Sequence, residues 1–316
     1  MLAPLRSIAL SAFLAALISP AFAADETSPA GFTLMSYNVW KGWSGVDDGF
    51  QKGIASIRES KADVVGLQEA TPELAQKIAA ALGWHWAEKG QGTAQIVSRY
   101  PIVATQGVER LTEATIRLSD NPRRDIVVFN CHLDYLSYGP YAALLPGATP
   151  ETVLAEEAHS ERAAQMKRML EVMQPFLADS EKVPVFLTGD FNGPSHLDWT
   201  EAAREAHGNV GPVAWSPSSQ VIAAGLIDSF RAVHPDPVAE PGTTWSAIHK
   251  GTEPQDRIDF TYHMGAAVTV ASSRTFTSGV QTTLGAWTET HDFAPVHGNT
   301  WPSDHFAVLT EYRFAK

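Results

Sequence analysis

Cysteine is almost absent from the sequence: Cys131 stands alone among 316 residues. A disulfide within the chain is therefore excluded, and stability must come from a buried core, which a chain of this length can supply. The composition, 44% hydrophobic and 18% charged, is typical of a globular protein. Because Cys131 lies in an apolar run, we interpret it as a buried structural thiol and not as a nucleophile.

Positive charge is also scarce. Lys and Arg number 23 against 35 Asp and Glu, which gives a net charge of −12, and no basic run occurs. Proteins that grip long nucleic acids usually carry a basic surface. A processive nuclease is therefore disfavoured, although a metal ion can supply positive charge locally. The sequence contains no Gly-x-Ser-x-Gly motif, so no serine nucleophile is indicated.

The apolar run near the start is too short to span a bilayer. It extends from Ile8 to Ile18, follows Arg6 and precedes Ala21-Phe22-Ala23, the pattern of a cleaved secretory signal. We expect residues 1–23 to be a signal peptide, residues 24–316 to form one domain, and the protein to be secreted or periplasmic. A membrane anchor that is retained is the alternative.

Short β-type runs alternate with helical patterns along the chain. The predicted strands are 32–40, 63–67, 95–98, 125–134, 183–190, 257–263, 268–272 and 306–312, and the predicted helices are 49–60, 72–82, 152–177 and 196–205. Many short strands with scattered helices predict an α/β protein in which two sheets face each other with helices outside.

Two predicted elements carry polar residues at one end of an otherwise apolar pattern. In strand 125–134 one face is apolar, whereas the other ends in Asn130, His132 and Asp134. In helix 152–177 the stripe of Met166, Met169, Leu170 and Met173 extends back to Arg162 and His159. Each end either overlooks a polar cavity or simply reaches solvent, and the pattern alone leaves both open.

Acidic and amide residues follow several predicted strands. The motifs are Ser36-Tyr37-Asn38-Val39-Trp40, Leu67-Gln68-Glu69, Thr188-Gly189-Asp190-Phe191-Asn192 and Ser303-Asp304-His305. Carboxylates are costly in a core unless they are paired or bind a metal. An oxygen-rich cluster suits a hard cation such as Mg²⁺ or Ca²⁺. Taken singly, each motif could equally be a turn or a helix cap.

The ordered set of motifs resembles the endonuclease/exonuclease/phosphatase superfamily. It reads Asn-x-Trp, Gln-Glu, Asn-x-His-Leu, Gly-Asp-Phe-Asn, Arg-Ile-Asp-Phe and Ser-Asp-His, and the resemblance covers Phe32 to Phe314. It implies a four-layer sandwich of two facing mixed β-sheets flanked by helices, with the site at one edge of the sheets. It also implies hydrolysis of phosphate esters with a divalent metal, foremost Mg²⁺, with Mn²⁺ or Ca²⁺ as alternatives.

The resemblance further implies a role for each motif residue. The implied metal ligands are Asn38, Glu69, Asp190 and Asp304. The implied catalytic residues are His132, Asp190, Asn192, Asp259 and His305, with Asp190 acting on the attacking water and Asp259 orienting His305. These residues supply what phosphodiester hydrolysis needs, namely charge compensation, a base and donors to the phosphate. For His132 a structural role, and for Asp259 a salt bridge elsewhere, are the alternatives.

Two aromatic stretches are candidates for substrate walls, since long loops often carry binding residues. One follows His132, and the other is 275–301, with Trp287, His291, Phe293, His297 and Trp301. The predicted substrate-binding residues are Asn38, Asp134, Tyr135, Tyr138, His159 and Arg162. The sequence thus predicts an exported phosphoesterase for a small phosphate ester, sugar phosphate or lipid headgroup, with no stable protein partner implied. A secreted nuclease and an inactive binding module are the alternatives.

Overall fold

The strands and helices follow the predicted alternation. The computed structural model describes residues 29–249, 253–279 and 297–315. Its strands are β1 Gly31–Asn38, β2 Val64–Gln68, β3 His85–Trp86, β4 Ala94–Ser98, β5 Ile102–Val108, β6 Leu111–Asp120, β7 Arg123–His132, β8 Val185–Asp190, β9 Ile227–Asp228, β10 Asp259–Met264, β11 Val268–Phe276 and β12 Ala307–Phe314. Its helices are α1 Trp40–Trp43, α2 Gly49–Ser60, α3 Pro72–Leu82, α4 Pro140–Ala143, α5 Pro150–Glu157, α6 Arg162–Ala178, α7 Ser216–Ala223 and α8 Ser229–Val233, with a 3₁₀ turn at Arg204–His207.

The strands form two six-stranded sheets. The first has the order β11-β12-β1-β2-β4-β3 and the second β5-β6-β7-β8-β10-β9. Both are mixed, because β1 pairs with β2 and β7 with β8 in parallel, whereas the remaining neighbours are antiparallel. In each sheet a parallel pair ends at the same edge, so residues that follow paired strands are brought together there.

Three hydrophobic clusters separate four layers. Phe32, Leu34, Ile116, Val128 and Phe186 pack between the two sheets. A second cluster packs α2 and α3 on the outer face of the first sheet, and a third packs α6 and α7 on the outer face of the second. The predicted four-layer sandwich of two facing mixed sheets is therefore confirmed.

Strand β7 has the two faces that the sequence predicted. Val127, Phe129 and Cys131 pack with the methionines of α6, and Cys131 is a buried free thiol. Val128 packs between the sheets, on the same face as Asn130 and His132. The polar end of this strand therefore faces the interior of the sandwich and not an open solvent face.

Two predicted helices were right to the residue, and local chemistry explains the ends of one of them. Helix α3 begins where the Thr71 side chain accepts a hydrogen bond from the Leu74 amide, with Pro72 in the first turn. It ends at Gly83, whose φ of 71° is the left-handed conformation that glycine adopts without strain.

The prediction of one continuous helix over residues 152–177 is wrong. It is two helices, α5 and α6, separated by residues 158–161. Ser160 bonds the carbonyl of Glu157 with its side chain, and the Glu161 amide donates to Asp134 Oδ2 over 3.0 Å, so side chains satisfy the helix ends. A hydrophobic stripe continues across such a break and does not reveal it.

The predicted helix 196–205 is also wrong, because this segment forms turns with only the 3₁₀ turn at its end. The His196 amide donates to the Ser218 hydroxyl, and Asp198 pairs with the buried Arg257. These tertiary contacts outweigh local helix propensity.

Residues 1–23, the predicted signal peptide, lie outside the described residues, as do Trp287, His291 and Phe293. Within the described ranges no helix is long and apolar enough to cross a membrane.

Candidate active site

The predicted motif residues meet at one edge of the sandwich. Asn38 ends β1 opposite Gln68 of β2, so Glu69 follows directly beside it. In the second sheet Asp190 pairs with His132 on one side and with Asp259 on the other. The loop before β12 is tied to the first sheet because Ser303 Oγ donates to the Asn38 carbonyl over 2.6 Å.

Asn38 links the two sheets through its side chain. Its amide nitrogen donates to Glu69 Oε1 over 3.2 Å and to Asp190 Oδ2 over 2.8 Å. Its amide oxygen accepts from the backbone of Trp40 over 2.9 Å. Asn38 is buried. Because its one amide group contacts both carboxylates, it fixes the distance between Glu69 and Asp190.

The backbone around these carboxylates adopts the left-handed region. Trp40, Lys41 and Trp43 have φ values of 38°, 52° and 65°, and Glu69 and Asn192 have 57° and 48°. Such conformations cost roughly 1–3 kcal/mol each in non-glycine residues and cluster at functional sites. Here the turn directs the Lys41 amide onto Glu69 Oε2.

His305 is oriented by Asp259. Their Nδ1 and Oδ2 atoms are 2.8 Å apart, and both side chains are buried. Trp301 adds a hydrogen bond from its indole nitrogen to the His305 carbonyl over 2.7 Å. The ring therefore has one fixed orientation, with Nε2 left for the cleft side of the site.

The charge state of His305 follows from its neighbours. Burial alone would lower the pKa of His305, but the charges of Asp259 and Asp190 outweigh burial, so its pKa is raised well above the ordinary value. A protonated imidazole donates a hydrogen bond from Nε2. His305 is thus suited to contact a phosphoryl oxygen.

Asp190 lies beneath two imidazoles. Its Oδ2 atom is 3.8 Å from Nε2 of His132 and 3.9 Å from Nε2 of His305, and its Oδ1 accepts from the Asn192 amide over 2.7 Å. Burial, followed by the charge of Asp259, raises the pKa of Asp190. The other nitrogen of His132 shares a 2.7 Å hydrogen bond with Thr93 Oγ1. Sequence reasoning missed Thr93, which no motif marks.

A divalent cation fits the side chains around Glu69. Asp304 is buried, and its Oδ1 has no hydrogen-bond partner among the residues that the structure describes. The pKa of Asp304 is raised to about 8, chiefly by burial and also by the nearby charge of Glu69. The charge of His305 acts in the opposite direction but offsets only part of this rise. A carboxylate in this position is stabilised by a cation, and Glu69 and Asp304 offer oxygen ligands, which Mg²⁺ and Ca²⁺ prefer. Asn38, also predicted as a metal ligand, instead turns its amide nitrogen toward the Glu69 and Asp190 carboxylates, while its oxygen accepts from the Trp40 backbone.

Asp190, Asp259 and His305 also present ligand atoms within 4.8 Å of one another. Two of the three already bond each other through Nδ1 and Oδ2. We therefore interpret this trio as a hydrogen-bonded relay and assign the cation to the side of Glu69, which lines the cleft as Asp304 does.

A buried polar network supports the site from below. Asn130 Nδ2 donates to the carbonyls of Leu67 and Gln95 over 2.8 and 2.9 Å, and its Oδ1 accepts from Gln68 Nε2 and Thr188 Oγ1 over 2.6 and 3.0 Å. Asn130 thus connects the first sheet with the second. The sequence marked Asn130 as a polar face residue but gave no sign of this role.

A cleft of about 390 Å³ opens above these groups. Glu69, His132, Asn192, Asp304 and His305 form its polar floor. Its walls are aromatic and apolar, formed by Trp40, Tyr135, Tyr138, Tyr141, Trp245 and Ile258.

Two wall tyrosines are anchored by buried carboxylates. Tyr138 donates its hydroxyl to Asp256 Oδ2 over 2.7 Å, and Tyr141 donates to Glu253. The phenol oxygens are therefore occupied, and the rings contribute apolar surface to the cleft. Tyr141 was not among the predicted substrate-binding residues, although it lies in the same aromatic stretch as Tyr138.

Four predicted substrate-binding residues do not line the cleft, and these predictions are corrected. Asn38 lies beneath it and holds Glu69 and Asp190, and the other three serve elsewhere. Asp134 accepts from the Leu136 and Glu161 amides and so fixes the residue directly before α6. Arg162 is fully buried and is held by Glu157. His159 precedes α6 on an exposed turn, 3.6 Å from Glu156.

The second predicted wall is also corrected where the structure describes it. Trp301 is buried, stacks on Tyr37 with ring centroids 4.8 Å apart and belongs to the core. His297 is exposed and does not line the cleft.

The chain is similar in sequence to a known protein family and to a protein from Caenorhabditis elegans. Residues 35–305 match the model of the Endonuclease/Exonuclease/phosphatase family. The chain is 31% identical over 310 residues to the Caenorhabditis elegans protein named uncharacterized protein F14F9.5, and the match covers 93% of this chain and 95% of that protein.

Solved structures share the fold at low identity. D. rerio TDP2 complexed with single strand DNA product has a TM-score of 0.54 at 15% identity, covering 90% of this chain and 100% of that one. The mannosyl-6-phosphatase Bt3783 of Bacteroides thetaiotaomicron has a TM-score of 0.50 at 16% identity, with 90% and 100% covered.

Proposed function

Because the chain belongs to the endonuclease/exonuclease/phosphatase family, we propose that it is a metal-dependent phosphodiesterase in which water attacks the phosphorus of a small ester. The observation that carries this proposal is the constellation around Asp190: two imidazole Nε2 atoms lie 3.8 and 3.9 Å from its Oδ2, beside the Glu69 carboxylate that Asn38 holds. One site thus offers a base, two donors and a cation ligand.

Glu69 and Asp304 would hold the cation, most readily Mg²⁺, with Mn²⁺ or Ca²⁺ as alternatives. When bound, it supplies positive charge against the phosphate. Asn38 Nδ2 keeps Glu69 in place, and the Lys41 amide does the same from the other oxygen. The residues of this chain perform the remaining steps.

Asp190, His305 and His132 transfer the protons. Asp190 orients the attacking water and takes its proton, which its raised pKa favours. His305, held by Asp259, donates from Nε2 to a phosphoryl oxygen. His132, whose Nδ1 is held by Thr93, donates to the phosphate or to the leaving oxygen. The side-chain amide of Asn192, in the floor of the cleft, donates to the Leu133 carbonyl over 3.1 Å, and its second N–H stabilises charge that develops on the phosphate.

The walls favour an organic ester over a polynucleotide. Five aromatic side chains of the described residues surround the polar floor, and among the described residues that line the cleft Lys41 is the one with a permanent positive charge. Together with the net charge of −12, this supports a small phosphate ester or a lipid headgroup, and a secreted nuclease is the alternative.

A substrate panel tests the proposal. Bis(p-nitrophenyl) phosphate, p-nitrophenyl phosphate, a phospholipid, inositol phosphates and plasmid DNA would each be incubated with the protein, with and without EDTA. We expect EDTA-sensitive hydrolysis of the diester, faster than that of the monoester and of DNA. Hydrolysis of DNA alone would favour the nuclease. No turnover of any ester with added metal would favour an inactive binding module.

We also propose that the chain is exported after removal of residues 1–23, and that residues 24–316 act as one domain. The support is the signal-like pattern at the start of the sequence. Amino-terminal sequencing of the secreted or periplasmic protein should find a start near Ala24, whereas retention of the first residues in a membrane fraction would support an anchor.

A further inference from the structure

Exposed hydrophobic side chains are concentrated beside the cleft. Of the nine large hydrophobic residues that are exposed in the described part of the chain, five lie in the segment 135–145, with 37–63% of their surface accessible. These five are Tyr135, Leu136, Tyr141, Leu144 and Leu145. Single exposed hydrophobic residues are normal, but a contiguous group marks an interaction surface. We call these five residues the apolar shoulder.

The shoulder is held by ordered structure. Arg162 donates to the carbonyls of Asp134, Leu136 and Ser137 over 2.9, 2.8 and 2.7 Å. Ala143 is buried against Trp199, Trp215 and neighbouring residues, whereas the two leucines that follow it point outward. The buried Ala143 and the bonds from Arg162 fix the backbone of this segment. This fixed backbone keeps Leu144 and Leu145 exposed.

The shoulder is continuous with the catalytic cleft. A groove of about 410 Å³ runs along it, and its lining is apolar or uncharged except for Glu156, which lies 3.6 Å from His159 at the far side. The other lining residues are Tyr135, Leu136, Ser137, Tyr138, Tyr141, Ala142 and Leu145. Tyr135, Tyr138 and Tyr141 also line the cleft above Glu69 and His305. A molecule whose phosphate occupies the cleft would thus extend its apolar part along the groove.

The charge pattern identifies the kind of partner. From Tyr135 to Pro150 the sequence contains no Asp, Glu, Lys, Arg or His. With a net charge of −12, electrostatic attraction to anionic lipids or to nucleic acid is disfavoured. Aromatic and leucine side chains without charge suit insertion at the interface of a zwitterionic bilayer.

We propose that the apolar shoulder docks on a phospholipid bilayer and delivers a lipid phosphodiester to the cleft. The inference rests on the proposed function. In the reaction the water oxygen bonds to phosphorus, one P–O ester bond breaks, and the released alcohol oxygen takes up a proton, so that water is the only co-reactant.

Vesicle binding tests the shoulder without catalysis. The full chain would be co-sedimented with phosphatidylcholine vesicles in EDTA, as wild type, as Leu144→Ser/Leu145→Ser and as Val103→Ser/Val108→Ser. The valines are also exposed, by 45% and 42%, but lie on β5 away from the cleft. Melting temperatures would be compared to show that all three proteins are folded.

We expect the leucine variant to bind vesicles at least about tenfold more weakly than wild type, since each leucine contributes apolar area to the interface. The valine variant should bind as wild type does, and 0.5 M salt should change little. No binding by wild type, or equal binding by both variants, would overturn the proposal. So would a dimer that the leucine substitutions convert to a monomer in sedimentation velocity, because the shoulder would then cover a second copy.

Hydrolysis of bis(p-nitrophenyl) phosphate by wild type separates this proposal from the proposed function. Turnover of this soluble diester without vesicle binding would remove the docking proposal and leave the enzyme. Vesicle binding without turnover of any phosphate ester would retain the docking surface but remove the delivery of substrate to a catalytic cleft, and with it the proposal as stated.

Discussion

His305 and Asp259 come from different sheets and form a buried hydrogen bond of 2.8 Å between Nδ1 and Oδ2. His305 lies just before β12 of the first sheet, and Asp259 is the first residue of β10 in the second. The bond therefore forms only when the two sheets have packed against each other, and it fixes the direction of Nε2. The activity of the site thus depends on the packing of the whole sandwich.

Asp259→Asn tests this orientation. An amide cannot stabilise the charged imidazole, so we expect kcat to fall by roughly 10²–10⁴-fold with KM changed by less than about threefold. Steady-state kinetics on bis(p-nitrophenyl) phosphate would measure both. Asp47→Asn, which removes a partly exposed surface pair with Lys52, is the control. Unchanged kcat in a folded Asp259→Asn protein would make the pair structural.

His132→Ala should lower kcat by at least about a hundredfold, because its Nε2 lies at the cleft beside Asp190. Thr93→Val, which removes only the partner of Nδ1, should cost less than His132→Ala. Normal turnover in folded His132→Ala would return this histidine to the structural role that the sequence left open.

Asn130→Ala should weaken both stability and activity. The substitution removes one hydrogen-bond partner from each of Gln68 and Thr188 and removes the side-chain donor to two backbone carbonyls. We expect the free energy of unfolding in urea to fall by about 3 kcal/mol. Thr188→Val removes only the hydroxyl that Asn130 and the Phe129 carbonyl share, and it should cost about 1 kcal/mol. A loss for Asn130→Ala no larger than that for Thr188→Val would contradict the network.

The stability of the protein should fall in mild acid because of His263. Burial lowers its pKa to about 4, which the charge of Asp228 offsets only in part. Above the ordinary value of about 6.5 neither state binds the proton. Below about pH 6.5 His263 binds a proton in the unfolded chain but not in the folded protein. The free energy of unfolding therefore decreases by up to about 3 kcal/mol as the pH falls to 4.

Urea unfolding at pH 7.5 and 4.5 measures this loss. His263→Gln should lose distinctly less stability between the two pH values than wild type. His159→Gln, at an exposed histidine, should behave as wild type does. Equal losses in wild type and His263→Gln would show that other groups control the acid response.

The sequence predicted the fold and most of the site because the relevant signals are local. Period-two alternation marked the faces of β7, and an unbroken helical pattern marked α3. Asn38, Glu69, Asp190 and His305 belong to short motifs that immediately follow or precede strands. Strand pairing alone then brings them to one edge.

What the sequence could not supply depends on contacts between distant segments. Arg162 continues the helical stripe of the α6 methionines, and the stripe alone left open whether its end meets a polar cavity or solvent. Its donors are instead used by Glu157 and three carbonyls. The anchoring of Tyr138 by Asp256 joins residues 118 positions apart. Edge strand β5, with mostly exposed residues, lacks the apolar alternation that reveals a half-buried strand.

We expect a cation held by Glu69 to support phosphodiester hydrolysis. The most direct test is the turnover of bis(p-nitrophenyl) phosphate by wild type and Glu69→Gln, dialysed against EDTA and then titrated with Mg²⁺, Mn²⁺ or Ca²⁺. Wild type should be inactive without metal and recover on titration. Glu69→Gln should need at least about tenfold more metal at an unchanged melting temperature in metal-free buffer. Full wild-type turnover in excess EDTA would contradict the account.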